Sequence, residues 1–294
     1  MKIAYLILAH KQIDQMNKLI SVLDDGNSDF FIHIDSKVAE FSEIQKPNVI
    51  YLKNEERKDI RWGSYEMVLA TLNLIKRCLN NPVNYEYVIL LSGQDFPIKS
   101  NTYIQNFLSN GKESNYICFF SDINTNVDKI NKRNALVYPL WLQRENIFSR
   151  ILKRFYISFS GGYAYTFPFF KKKNPLSFNL YYGSQWWALR RECLIWMMEY
   201  LDSNPQFTSF FETSLIPDES FFQTLFMLSP YSGTKKNNLH FVEWDEQGKH
   251  PVIIDKKRLI ELENERNDEF LFARKFDIKI HKDAIDYLME KRCG

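Results

Sequence analysis

Two short stretches carry the residue types that chemistry would need. Pro217-Asp218-Glu219-Ser220 sets adjacent carboxylates ahead of an apolar run, and Phe272-Ala273-Arg274-Lys275-Phe276 sets adjacent cations between aromatics. A carboxylate can take the proton of an attacking hydroxyl, and paired cations can absorb the charge that develops on a departing diphosphate. Glu219, followed by Phe221-Phe222, is expected to be partly desolvated, which raises a carboxyl pKa toward that of a useful base. Pro, Asp and Ser also suit a helix start, and capping accounts for Asp218 by itself. Phe272 and Phe276 would anchor the cationic segment while Arg274 and Lys275 face a cleft, although a solvated surface pair is the plainer reading of any two cations. Lys249, beside His250, is a second source of charge. The sequence has no Asp-x-Asp and no Cys or His at metal-ligand spacing. No metal site is therefore expected, and positive side chains would have to do a metal's electrostatic work.

The elements that must hold these groups are legible as buried strands separated by helices. Apolar runs at 3–9, 30–34, 49–52 and 87–91 alternate with helical periodicity at 13–23 and 65–79, the order β-α-β-β-α-β. This is the pattern of an α/β sheet with helices on both faces. Ligands in such sheets sit beyond the carboxyl ends of the strands. That rule selects His10, Asp35 and the stretch 92–95. Asp35 can accept hydrogen bonds from a ribose or base there, or cap a turn with Ser36. Farther on, 183–189 reads as a short strand, 191–201 and 221–228 as helices, 240–244 and 252–254 as strands, and 256–265 as a charged helix.

Composition narrows the class. The 294 residues include 24 Phe and 16 Tyr, enough for a large core, and the formal charge of +2 is too small to point to nucleic acid. The charge is uneven: residues 121–178 carry +7, leaving −5 for the remainder. That asymmetry suggests a local anionic partner. The segment lacks a clean period and reads as an irregular basic insertion, too long for an idle connector. Its stretch 150–173 interleaves cations with aromatics. One reading is contact with an anionic membrane surface; the other, slightly favoured, is an acceptor-site lid with its aromatics packed inward. Cys78, Cys118, Cys193 and Cys293 are widely spaced, which fits reduced thiols rather than a disulfide framework. Neither a membrane span nor a signal peptide is expected, so a cytoplasmic location is, with peripheral contact at the inner face of the membrane as the extension.

Eight blocks occur in the order found in the core-2/I-branching β-1,6-N-acetylglucosaminyltransferases and the related peptide O-xylosyltransferases. They are Tyr5-Leu6-Ile7-Leu8-Ala9-His10, Ile32-His33-Ile34-Asp35-Ser36-Lys37, Trp62-Gly63-Ser64 and Leu91-Ser92-Gly93-Gln94-Asp95-Phe96-Pro97-Ile98-Lys99. In the second half come Gly183-Ser184-Gln185-Trp186, Pro217-Asp218-Glu219-Ser220-Phe221-Phe222, Phe241-Val242-Glu243-Trp244 and Leu271-Phe272-Ala273-Arg274-Lys275-Phe276-Asp277. The chain resembles that family over most of its length.

The resemblance implies a GT-A-type, Rossmann-like fold, a mixed central sheet flanked by helices, in one glycosyltransferase domain over residues 1–294. Within it, 1–120 would be the nucleotide-sugar half, 121–178 the insertion, and 179–294 the acceptor and catalytic half. It implies inverting transfer without a metal or other cofactor, from a UDP-sugar to a hydroxyl of a glycan or lipid-linked glycan. N-acetylglucosamine, β-linked, is the first donor sugar and xylose the second, with bacterial surface polysaccharide assembly as the setting. Glu219 would be the base, and Arg274, Lys275 and Lys249 would bind the diphosphate. Ala9, His10, Asp35, Trp62 and Asp95 would face the donor, and Trp244, Gln185, Trp186 and Asp218 the acceptor. Two rivals are a non-catalytic glycan or nucleotide binder on the same scaffold and a metal-dependent nucleotidyltransferase. The first has no need of Glu219; the second wants a glycine-rich phosphate loop and paired metal-binding carboxylates that are not evident.

Overall fold

A computed structural model describes residues 1–120, 133–134, 136–138, 147–149, 151–152, 154–155, 172–248, 250–265 and 268–293. Strand β1 (Ile3–Ala9) is buried at all seven positions. It runs parallel to β2 (Ser28–Ile34) on one side and to β4 (Tyr87–Ser92) on the other. A strand flanked and covered in this way has no polar face, hence its unbroken apolar run. Helices α1 (Ile13–Leu23) and α2 (Glu66–Leu79) make the crossovers, and β3 (Val49–Tyr51) adds an edge beside β2.

The two-residue alternation of β1 divides the core into layers. Ile3, Tyr5, Ile7 and Ala9 join the cluster containing Met16, Leu19 and Leu23 of α1. Ala4, Leu6 and Leu8 join the other, with Val68, Leu72 and Ile75 of α2. Helices α4 (Arg191–Ser203), α5 (Pro205–Glu212) and α6 (Phe221–Leu228) also pack into this second cluster, in which Phe207, Phe211 and Phe221 form mutual edge-on and tilted contacts. Each such ring contributes about 1.5–3 kcal/mol through burial.

After β5 (Asp95–Pro97), helix α3 (Asn101–Asn110) and β6 (Asn115–Ile117), the chain enters the insertion and returns at β7 (Trp187–Arg190). Strand β7 is antiparallel to both β4 and β6, with Ile89 opposite Ala188 and Ile117 opposite Trp187. The insertion therefore leaves and rejoins the sheet at the edge where β1, β2 and β4 end. With β8 (Lys235–Lys236), the large sheet has the order β3-β2-β1-β4-β7-β6-β8.

A second sheet holds β5, β10 (Phe272–Arg274) and β9 (His240–Val242), in the order β5-β10-β9. Helices α7 (Lys256–Asn264) and α8 (Lys282–Cys293) complete the described elements. The strand expected at 252–254 does not form. Pro251 makes an isolated bridge to Trp244, after which Val252 donates to the Glu243 carbonyl at 2.8 Å and Ile254 to that of Lys275 at 2.9 Å. A proline without an N–H, followed by two residues that donate to different segments, leaves no ladder to propagate. The helix start expected at 217–220 is likewise split: Pro217–Glu219 is a 3-10 turn, and α6 begins only after Ser220. Among the described residues, no helix is long and apolar enough to cross a membrane.

Candidate active site

A cleft of about 400 Å³ opens at the carboxyl ends of the parallel strands. Ala9 and His10 after β1, Asp35 after β2, Trp62, Gln185, Trp186 and Arg274 all line it. Seven residues singled out from sequence thus share one cavity, although the chain between them spans 265 positions from residue 9 to residue 274.

Asp35 is buried and already engaged. One carboxylate oxygen accepts the Lys37 N–H at 2.9 Å; the other accepts that of Ile60 at 3.2 Å and lies 3.4 Å from the Lys37 ammonium. Asp35 thus closes a turn and also lines the cleft. Carboxylate oxygens have about four acceptor positions between them, so capacity for a ligand remains.

Arg274 is not a solvated surface cation. Strand register sets it directly opposite Asp95, and its guanidinium donates to that carboxylate at 2.8 Å. It also donates to the Ser92 hydroxyl and lies over the Trp186 ring, 4.7 Å from the centroid. Asp95 is 0% exposed, which rules out direct contact with a donor sugar in this arrangement. Its carboxylate instead accepts the Ser92 N–H at 2.6 Å and holds Arg274 at the cleft. Desolvation pushes the Asp95 pKa up, but Arg274 and the hydrogen bonds outweigh it and keep the carboxyl below its ordinary range.

Lys275 is half-buried; burial, then Arg274 and Lys11, lower its pKa. His10 is lowered by desolvation and by the cations Lys11 and Lys275. A cationic wall thus borders one end of the cleft. Its backbone is fixed by Gln15, a buried amide that donates to the carbonyls of Gly93 at 2.8 Å and Phe276 at 3.2 Å and accepts the Ile278 N–H at 2.7 Å. Phe272 and Phe276, both fully buried, anchor the segment as their types suggested.

The candidate base, Glu219, is not among the residues that line the cleft, but its turn is bonded to the chain next to it. Gly183 donates its N–H to the Glu219 carbonyl at 2.9 Å, and Ile216 donates to that of Gly63 at 2.8 Å. These bonds tie the Pro217–Glu219 turn to the chain beside Gln185 and Trp62. The Glu219 carboxylate is ion-paired with Arg133 at 2.5 Å, and Arg133 also donates to the Tyr182 hydroxyl at 3.2 Å. Burial, followed by the Glu219 charge, raises Tyr182 to about 12. Burial and then the Glu219 charge push the neighbouring Asp218 carboxyl up to about 7. Asp218 caps no helix: its Oδ1 has no hydrogen-bond partner among the described residues. Nothing in the sequence distinguished Arg133 from the other nine cations of the insertion, nor Gln15 from any helical glutamine.

Trp244 lies apart from the residues that line the cleft, 52% exposed. Lys249 is outside the described residues, as is much of 121–178. Among the described residues, no three His, Cys, Asp or Glu side chains converge as metal ligands, and Cys78, Cys118 and Cys193 are free.

Comparison with known proteins agrees with this layout. The model of the Core-2/I-Branching enzyme family matches residues 3–264. The chain is 24% identical to a mouse N-acetyllactosaminide beta-1,6-N-acetylglucosaminyl-transferase, covering 97% of this chain and 71% of that protein. It is 23% identical to a xylosyltransferase of Ciona intestinalis, all of this chain against 34% of that one, and 23% identical to mouse xylosyltransferase 2, 98% against 33%. The chain thus spans about a third of the length of the xylosyltransferases that it matches. A family match over so much of the chain, on a mixed α/β sheet with the motif residues gathered at one cleft, places this protein in the Core-2/I-Branching enzyme family of glycosyltransferases.

Proposed function

We propose that the chain transfers N-acetylglucosamine, with inversion to a β-linkage, from UDP-N-acetylglucosamine to a hydroxyl of a glycan acceptor in bacterial surface polysaccharide assembly. The observation that carries this reading is Arg274, held at the cleft by the fully buried Asp95 and flanked by Lys275. Glu219 removes the acceptor proton as the hydroxyl oxygen attacks the anomeric carbon from the face opposite UDP. The bond from that carbon to the diphosphate oxygen breaks, and UDP leaves with its new charge met by Arg274 and Lys275. For Glu219 to accept a proton, its ion pair with Arg133 must open. Because side-chain cations supply the positive charge, turnover is expected to persist in EDTA. UDP release from UDP-N-acetylglucosamine, with and without sugar acceptors and with and without EDTA, tests both points. Strict dependence on a divalent cation, or no acceptor-stimulated release, would reject the proposal. UDP-xylose is the second donor for the same assay, in view of the xylosyltransferase relatives.

The second reading concerns where the acceptor resides, a lipid-linked glycan at the inner face of a membrane. Ile147, Phe148, Ile151 and Phe155 are 77%, 70%, 56% and 74% exposed on residues with helical backbone. Arg154 beside them is exposed, and no acidic residue occurs from 146 to 191. Exposed apolar side chains with adjacent cations suit an anionic interface, each cation contributing about 1 kcal/mol. Lys172 does not join that surface. It points inward to the Phe210 carbonyl at 2.8 Å and the Ser214 hydroxyl at 2.9 Å, and burial lowers its pKa to about 7. Flotation with anionic vesicles at low salt is expected to carry the protein upward; protein remaining at the bottom would reject this reading.

A further inference from the structure

His240 lies behind the Asp95–Arg274 pair, at the start of β9. Strand register puts it opposite Phe272, while Arg274, two residues on, faces Asp95. Alternation therefore sets His240, Phe272, Arg274 and Asp95 on one face of the three-stranded sheet. The imidazole is 4% exposed and lies between two aromatic rings, with centroids 5.4 Å from Phe272 and 5.9 Å from Trp186. Its Nε2 is 3.7 Å from Asp95 Oδ2, within ion-pair reach but too far for a hydrogen bond. Neither ring nitrogen has a hydrogen-bond partner among the described residues.

A buried polar ring without partners is costly, and a phenyl ring would fill the same slot between Phe272 and Trp186 at no such cost. The nitrogen must therefore matter in another state of the site. Asp95 is satisfied here by Ser92 and Arg274. When Arg274 turns part of its fork toward an anion in the cleft, the buried carboxylate loses counter-charge in a medium where that loss is expensive. His240 Nε2 is the other nitrogen within ion-pair distance of it among the described residues.

We infer that His240 is a positioning residue for the donor's diphosphate: it donates to Asp95 as Arg274 is drawn onto the ligand, so one arginine serves both anions. The inference rests on Arg274 being a diphosphate ligand. The neutral Nε2–H tautomer suffices, and no covalent step is involved.

The test measures uridine diphosphate affinity by calorimetry, and donor KM and kcat by turnover, for His240→Phe and His240→Gln in the full chain. His240→Phe keeps the ring stacking and removes the donor. It is expected to weaken uridine diphosphate binding and raise donor KM about tenfold or more, with kcat moving far less and Tm unchanged or higher. His240→Gln, which restores an amide donor, is expected to recover most of the loss. In an Arg274→Met background, His240→Phe should cost nothing further, because the two act as one unit. Wild-type affinity in a folded His240→Phe, a glutamine no better than phenylalanine, or full additivity with Arg274→Met would overturn the inference. Lack of uridine diphosphate binding by the unaltered chain would remove the diphosphate reading and this inference together.

Discussion

The molecule holds two arginine–carboxylate pairs, one at the cleft and one on the turn tied to it, and they are built to opposite specifications. Arg274 and Asp95 are joined by strand register, with side chains 18% and 0% exposed and a buried imidazole behind them. Arg133 and Glu219 meet across an insertion and a 3-10 turn, with side chains 17% and 29% exposed. The first carboxylate has no access to solvent or ligand and serves to aim a cation. The second stays accessible, and its arginine comes from the insertion. A pair set by strand register suits a charge aimed at a leaving group; one set on a turn and an insertion suits a base that must change protonation in each turnover.

The sharpest way to break this contrast is Glu219→Gln. Turnover should fall about 10²–10⁴-fold if Glu219 is the general base, with uridine diphosphate affinity kept; a variant retaining most of its kcat would reject the assignment. Asp95→Ala should cost about 3 kcal/mol in denaturant unfolding, because it leaves Arg274 partly buried without a counter-charge. A loss below 1 kcal/mol would mean that the pair is no scaffold.

Asp218 gives a pH signature of comparable or smaller size. Its folded pKa, about 7, lies above the unfolded value of about 3.9, so the native state holds a proton that the unfolded state has released. Stability contributed by this group should decline as pH rises from about 4 to about 7 and level off above. Asp218→Asn should flatten that slope and stabilise the protein at pH 8 by about 2–4 kcal/mol. A parallel pH profile for the variant would count against a buried neutral carboxyl. Smallest of all, Arg133→Met should change stability by less than about 1 kcal/mol. If its Tm instead drops as far as that of Asp95→Ala, the two pairs are alike and the contrast fails.

Local pattern carried much of the way to this site. Continuous apolar runs marked β1, β2 and β4 because strands covered on both faces admit nothing else. The rule that ligands sit at their carboxyl ends then singled out His10, Asp35 and the stretch around Asp95. The flanking phenylalanines marked Arg274 and Lys275 as anchored, and both rings are fully buried. Period and propensity misled at 252–254, where a β-rich triplet follows a proline, and at Asp218, where a residue typical of a cap is a buried carboxyl with an oxygen unpartnered among the described residues.

Sequence alone determined the α/β order, the family's motif blocks and which carboxylate and cations are the candidates for the chemistry, because these depend on residue type and short-range spacing. Tertiary structure decided which groups meet. Asp95 and Arg274 are 179 residues apart, and Arg133 and Glu219 are 86 apart. Register between β5 and β10 selects the first pair, and backbone bonding of the insertion to the segment before the 3-10 turn, Leu215 donating to the Arg133 carbonyl at 2.9 Å, selects the second. A carboxylate reads the same in sequence whether it caps a turn, aims an arginine or takes a proton. Burial and the neighbours that long-range packing supplies make the difference.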